Sequence, residues 1–224
     1  GPRYVVDVPR ADAVRTVSPS FRLDPEKVFG HMGQVRPLIV EVGPGSGEAL
    51  LAHAAAHPGA DYLAVEVWET AIARLVTSIH RQGLHNVRVV PADASQLLAT
   101  ALPVSCASEV WVFFPDPWRK PRHRKRRLVT TAFADSVARV LRPGGRVLIE
   151  TGRQQATYTV AALRAVGLDT HIEVDDERRA ERREPLGLLP RRQLPHPARP
   201  LIERPGRVAG LVALGRPHDP QVAD

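Results

Sequence analysis

The chain has 224 residues, 43% of them hydrophobic and 25% charged, with a formal net charge of +7. That length suits one domain with a full hydrophobic core, and the apolar fraction excludes a disordered chain. No apolar run approaches the roughly 18–20 residues that span a bilayer, and the single Cys106 cannot form an internal disulfide, so a cytoplasmic setting is expected.

Residues 1–35 read as an irregular leader, and 36–224 as a single domain. PLIVEVG (37–43) has the β-branched run of a buried parallel strand. A helix is expected from Ser46 to His57, stopped by Pro58-Gly59. A strand (61–67), a helix over Glu69–Gln82 closed by Gly83, and a strand (86–90) follow. A short helix over Ala94–Leu98 and a strand over 109–114 come next. Leu128–Leu141 has apolar residues at helical spacing, and Pro143-Gly144-Gly145 turns the chain into a strand over 146–150. A helix over Gln155–Val166, a strand over 170–174 and a last strand over 207–215 complete the pattern. Residues 175–205, rich in Arg, Glu and Pro, read as a loop-dominated insertion. Strands alternating with helices at this spacing predict an α/β fold with a mostly parallel sheet flanked by helices.

In such sheets ligands bind outside the carboxyl ends of the strands, so the residues just after each strand carry the chemistry. After the first strand comes Glu41-Val42-Gly43-Pro44-Gly45-Ser46-Gly47. Closely spaced glycines let the backbone turn tightly and approach a ligand at a helix N-terminus. An ordinary strand–helix turn uses glycine too. A dinucleotide fingerprint requires G-x-G-x-x-G, whereas the spacing here is G-x-G-x-G. An acid two residues before the first glycine would also repel a pyrophosphate. S-adenosylmethionine (SAM) is therefore the expected ligand, at Glu41, Gly43, Gly45 and Gly47. Glu66, ending the second strand, can accept two hydrogen bonds from a ribose diol. Asp93, beside Ala94, is positioned either to meet an adenine amino group or to cap the following helix.

The fourth strand leads into FFPDPWRK (113–120), where two prolines restrict the backbone around Asp116. The basic run Arg119–Arg127 follows at once, with seven Lys/Arg and no acid. Without those seven, the remaining Lys and Arg equal the 24 Asp and Glu, so the whole net charge sits in nine residues. Lys120, Arg122, Arg124, Lys125, Arg126 and Arg127 are candidates to track a phosphate backbone, against the blander reading of a solvated basic face. The histidines show no metal-ligand spacing.

These stretches together resemble the bacterial tRNA (guanine-N7)-methyltransferases over about Pro37 to Gly152. The resemblance rests on EVGPGSG, AVEV, GLHNVRVVPADA and above all FFPDPWRKPRHRKRRLV, close to the family's F-P-D-P-W-x-K-x-R-H-x-K-R-R. It implies the class I SAM-dependent methyltransferase fold, SAM as cofactor, and methylation of a guanine N7 in the variable loop of tRNA. By the same motifs it implies cofactor contacts at Glu41, Glu66 and Asp93, catalysis at Asp116 and substrate binding at Lys120. Two departures stand out. The family's Thr-Asp after the fifth strand is here Thr151-Gly152, and its R-P-x-T-x-F-E becomes Arg199-Pro200-Leu201-Ile202-Glu203. Glu150 or Glu203 are the carboxylates available to replace the missing acid. Three readings stay open: a tRNA enzyme, an N-methyltransferase of a purine-like or heteroaromatic small molecule, and an RNA-binding module without turnover. Whether the protein is a monomer or a homodimer is not written in the sequence.

Overall fold

The computed structural model describes residues 4–9, 16–118, 120–174 and 209–214. Arg119, Glu203 and the expected insertion at 175–205 lie outside these described residues. Five strands form a parallel block: β1 (Leu38–Val42), β2 (Asp61–Val65), β3 (Val87–Val90), β4 (Ala107–Phe113) and β5 (Leu141–Thr151). With β6 (Asp169–Val174) and β7 (Ala209–Leu214) they make one sheet in the order β3-β2-β1-β4-β5-β7-β6. β7 runs antiparallel to both β5 and β6. The expected mostly parallel α/β sheet is what forms.

β1 and β2 are buried at every position, as strands covered on both faces must be. On one face, Ile39, Tyr62, Ala64, Val89 and Trp111 pack beneath α2 (Glu48–Ala56) and α3 (Glu69–Gln82). On the other, Val40, Val42, Val110, Val112, Val147 and Ile149 pack with Phe133, Ala134 and Val137 of α5 (Thr131–Val140) and with Leu163 of α6 (Arg153–Ala165). The two faces follow from the period-2 alternation of side chains along each strand.

The segment read as an irregular leader contributes to this core. Val8, Val17, Leu23 and Phe29 are buried in it, and α1 (Pro25–Phe29) is capped by the Asp24 carboxylate. The chain near Val5 also pairs with β3 through Val6 N–H to the Val89 carbonyl and Val89 N–H to the Tyr4 carbonyl. Weak periodicity hid these contacts, because the buried residues here are too far apart to share one helix face or strand.

Several boundaries move for local reasons. α5 begins at Thr131, not Leu128, because the Thr130 hydroxyl accepts the Phe133 N–H and caps the helix there. Val129 is still buried, leading into the cap as an apolar staple does. Pro143-Gly144-Gly145 lies inside β5 as a bulge, not as a turn before it: the register jumps from Ala107↔Leu141 to Glu109↔Arg146. A Cβ at Gly145 would stand 2.9–3.1 Å from the carbonyl oxygens of Arg142, Ala107 and Ser108. The short helix after β3, α4 (Ala94–Gln96), continues as a π-type turn over Leu97–Ala101. Arg139 of α5 donates to the Leu98 and Leu102 carbonyls at 2.7 and 2.6 Å, satisfying the ends of that widened turn.

Candidate active site

The strand order reverses direction between β1 and β4: the chain runs outward through β2 and β3 on one side, and through β4 and β5 on the other. A crevice opens at the carboxyl ends of strands at such a switch point. The register aligns those ends. Val42 pairs with Val65 on one side and Val112 on the other, and Val65 pairs with Val90. The residues following these valines therefore share one edge of the sheet. Glu41, Glu66, Asp93 and Asp116 all lie at or just beyond that edge.

On the β1–β2 side the site is built from backbone. Gly43, Gly45 and Gly47 have φ of +64, +58 and +76°, and Gly43 N–H donates to the Val65 carbonyl at 2.9 Å. Gly47 is fixed twice over. Its φ disfavours any side chain, and a Cβ there would collide with Leu75 Cδ1 of α3. The left-handed Gly47 also explains why α2 starts at Glu48 and not at Ser46. Glu66 is only 4% exposed. Its Oε1 accepts from the N–H groups of Val67 (2.7 Å) and Trp68 (3.0 Å), and its Oε2 accepts from Gly45 N–H (3.2 Å). The carboxylate thus ties the glycine loop to the end of β2 and is held in one orientation. Glu41, on the same face of β1 as Ile39, is 3% exposed. Asp93 is exposed and caps α4, its Oδ1 accepting from Gln96 N–H at 3.1 Å, while Ala94 is buried. The cap leaves Oδ2 uncommitted to that bond.

On the β4–β5 side the site is held by side chains. Asp116 is exposed, between two non-glycine residues at positive φ: Phe114 (+51°) and Trp118 (+35°). Such conformations are rare for bulky residues and persist where the surroundings enforce them. Phe114 N–H donates to the Glu150 carbonyl at 2.7 Å. Gln155 Nε2 donates to the Pro115 carbonyl at 2.9 Å, and the Thr151 hydroxyl donates to Gln155 Oε1 at 2.8 Å.

Lys120 leads into a 3₁₀ helix over Pro121–Arg126. Its three-residue repeat puts i and i+3 on one side. His123 and Arg126 accordingly both meet Trp118: the His123 ring lies edge-on at 5.6 Å, and the Arg126 guanidinium is 5.0 Å from the indole centroid. Arg127 sits 4.1 Å over the Tyr158 ring of α6. Arg122, Arg124 and Lys125 are exposed, and no carboxylate among the described residues forms an ion pair with them. The basic run thus divides into cations stacked on rings, which anchor it, and cations facing solvent.

Sequence alone assigned no role to Gln155, Thr151, Trp118 or Tyr158. Gln155 had a signal: a polar residue on the buried side of a helix, four after Thr151. Val67, Trp68 and Phe114 were missed as well. They are 36, 72 and 52% exposed, an apolar rim directly after the ends of β2 and β4. Among the described residues no cluster of His, Cys, Asp or Glu is arranged to hold a metal.

Residues 35–187 match the family described as "Putative methyltransferase". The chain is 45% identical over 177 residues to a tRNA (guanine-N7)-methyltransferase of Arthrobacter sp. strain FB24, covering 79% of this chain and 54% of that one. It is 46% identical over 149 residues to the enzyme of that name from Paenarthrobacter aurescens (66% and 48%). The chain belongs to this "Putative methyltransferase" family. It spans about half the length of the curated relatives it matches. Among solved structures, a SAM-dependent O-methyltransferase of Thermotoga maritima superposes with a TM-score of 0.54 at 18% identity, covering 86% of this chain and 64% of that one. An antibiotic-resistance methyltransferase gives the same score at 16% identity (86% and 94%). These likenesses establish the class I methyltransferase fold. Gly152, where the resemblance implies an acid, is the N-cap of α6 without a capping side chain.

Proposed function

We propose that this protein transfers a methyl group from SAM to N7 of a guanine in tRNA. The observation that carries the reading is the turn around Asp116, rigidly held at the switch point and followed at once by a basic helix. The likeness to curated tRNA (guanine-N7)-methyltransferases supports it independently. The residues fit the cofactor by their chemistry. Glycines 43, 45 and 47 let the backbone come close, and Glu66, oriented by three N–H groups, keeps acceptor capacity for ribose hydroxyls. Asp93 has a carboxylate oxygen for an adenine amino group, beside the small Ala94. Glu41 is buried one residue before the end of β1, and Val67 and Trp68 offer an apolar surface to a flat ring.

When bound, SAM supplies an electrophilic methyl on a sulfonium sulfur. Guanine N7 carries a lone pair and no proton, so no general base is required. Asp116 instead holds the base by accepting from its N–H donors and offsets the positive charge that develops on the purine. Lys120, Arg122, Arg124 and Lys125 hold phosphates. Arg126 and Arg127 keep the strip in place, and a stacked guanidinium still presents N–H groups at its edge. No helix among the described residues is long and apolar enough to cross a membrane, and a tRNA substrate supports a cytoplasmic setting.

Incubation with methyl-labelled SAM and bulk tRNA tests this directly. Labelled 7-methylguanine in the tRNA supports it. Label in a small molecule, which Gly152 in place of an acid would favour, or SAM binding without any transfer, overturns it.

A further inference from the structure

We infer that Gln155 is a positioning residue, which holds the Pro115-Asp116-Pro117 turn in its reactive shape by donating a hydrogen bond to the Pro115 carbonyl. The inference rests on the reading of Asp116 as the residue that contacts the base.

Three observations converge on it. The turn is strained at both ends, with bulky residues at φ of +51 and +35°, conformations that persist only when the surroundings compensate for them. Prolines at 115 and 117 remove two of the N–H groups that normally stabilise a turn, so the carbonyls must be held from outside. The Gln155 amide is the group that reaches in, at 2.9 Å, from the first turn of α6. A proline carbonyl only accepts, so the amide must present its nitrogen to it, and the Thr151 hydroxyl fixes the other end by donating to Oε1. Gln155 is 7% exposed and Thr151 0%, so the Thr151–Gln155 bond is shielded from water and the bond to Pro115 is partly so. The chain Thr151–Gln155–Pro115 therefore links the end of β5 to the turn that carries Asp116. Phe114 N–H to Glu150 makes a second link between the same two strands. None of this touches Glu66 or the glycine loop, so the clamp acts on the acceptor side of the site alone.

The test compares wild type with Gln155→Leu, Gln155→Glu, Thr151→Val and Asp116→Asn in methylation of tRNA. Misplacing a reacting group costs about ten- to a hundredfold, so Gln155→Leu is expected to lower kcat by about tenfold, with SAM affinity unchanged within about twofold. Thr151→Val, which keeps the Gln155 donor but frees its orientation, lowers kcat less. Gln155→Glu cannot donate while ionised. Its kcat, taken as a ratio to wild type at each pH so that titration of Asp116 cancels, should recover as pH falls and the carboxyl gains a proton that can reach Pro115, which a merely structural role would not produce. Amide exchange of the 112–118 peptide should rise in Gln155→Leu and not elsewhere in the sheet. Unchanged kcat in Gln155→Leu, a wild-type pH profile in Gln155→Glu, or unchanged exchange of that peptide overturns the clamp. Full turnover in Asp116→Asn instead overturns the reading of Asp116, and the exchange measurement still decides the clamp.

Discussion

The two halves of the crevice are built by different means. On the β1–β2 side, backbone N–H groups, glycine conformations and one buried carboxylate make a cradle from two short stretches, 43–47 and 66–68. On the β4–β5 side, a strained turn and a basic 3₁₀ helix are held by side chains that arrive from α6: Gln155 beneath the turn and Tyr158 under Arg127. A site made of backbone tolerates few changes of shape but accepts many side chains around it. A site made of side-chain clamps can be retuned one residue at a time. Under the proposed function, the backbone-built half holds the cofactor and the clamped half, which includes Gly152, holds the acceptor.

The largest expected effect that would break this division is on turnover. Asp116→Asn should lower kcat by about 10²–10³-fold, the loss typical of removing one group that stabilises transition-state charge, while SAM affinity measured by calorimetry stays as in wild type. Loss of SAM binding in this variant would mean that the halves are not separate.

Next comes the cradle itself. Gly47→Ala meets Leu75 and adopts an unfavourable φ, so it should cost about 2–4 kcal/mol of stability by denaturant titration and abolish SAM binding. Gly45→Ala has open space around it and only the backbone penalty, about 1–2 kcal/mol. Equal effects at the two glycines would remove the argument for Leu75.

The basic strip divides more finely. Replacing Arg122, Arg124 and Lys125 together by Ala should raise KM for tRNA with little change in kcat. It should also flatten the dependence of log affinity on log salt by about 0.7–0.9 for each phosphate no longer neutralised. Arg127→Ala removes the stack on Tyr158 and should lower kcat as well as affinity, because it loosens the anchored side of the strip. A strip whose cations are interchangeable would show the same profile for both.

The smallest effect lies away from the site. Burial pushes the Cys106 thiol up to about 11. It should therefore react slowly with iodoacetamide at pH 8, and faster as pH rises towards that value, since the thiolate is the nucleophile. Alkylation at the rate of a free thiol would place Cys106 outside the packed core.

Much of the fold was legible because its signals are local. Valine-rich runs marked β1 to β4, and Gly83 marked the end of α3 at the expected residue. The glycine loop, Glu66 and the turn around Asp116 stood out because each follows directly on a strand. What escaped were features that need a partner from elsewhere. Asp93 carried two roles in the sequence, and the cap on Gln96 appears only once α4 exists. Leu128 and Val129 have helical spacing, but the Thr130 cap starts α5 after them. Val8, Val17, Leu23 and Phe29 gave no periodic signal, yet they fill the core.

The sequence by itself determined the alternation of strands and helices from β1 to β6, the concentration of charge between 119 and 127, and the acids placed at the strand ends. Those depend on near neighbours along the chain. The tertiary structure decided which of the basic residues anchor and which face outward, and that Gln155, 39 positions beyond Asp116, supports its turn. Such pairings are set by which side chains the parallel sheet brings to one edge, and the spacing of residues along the chain does not encode them.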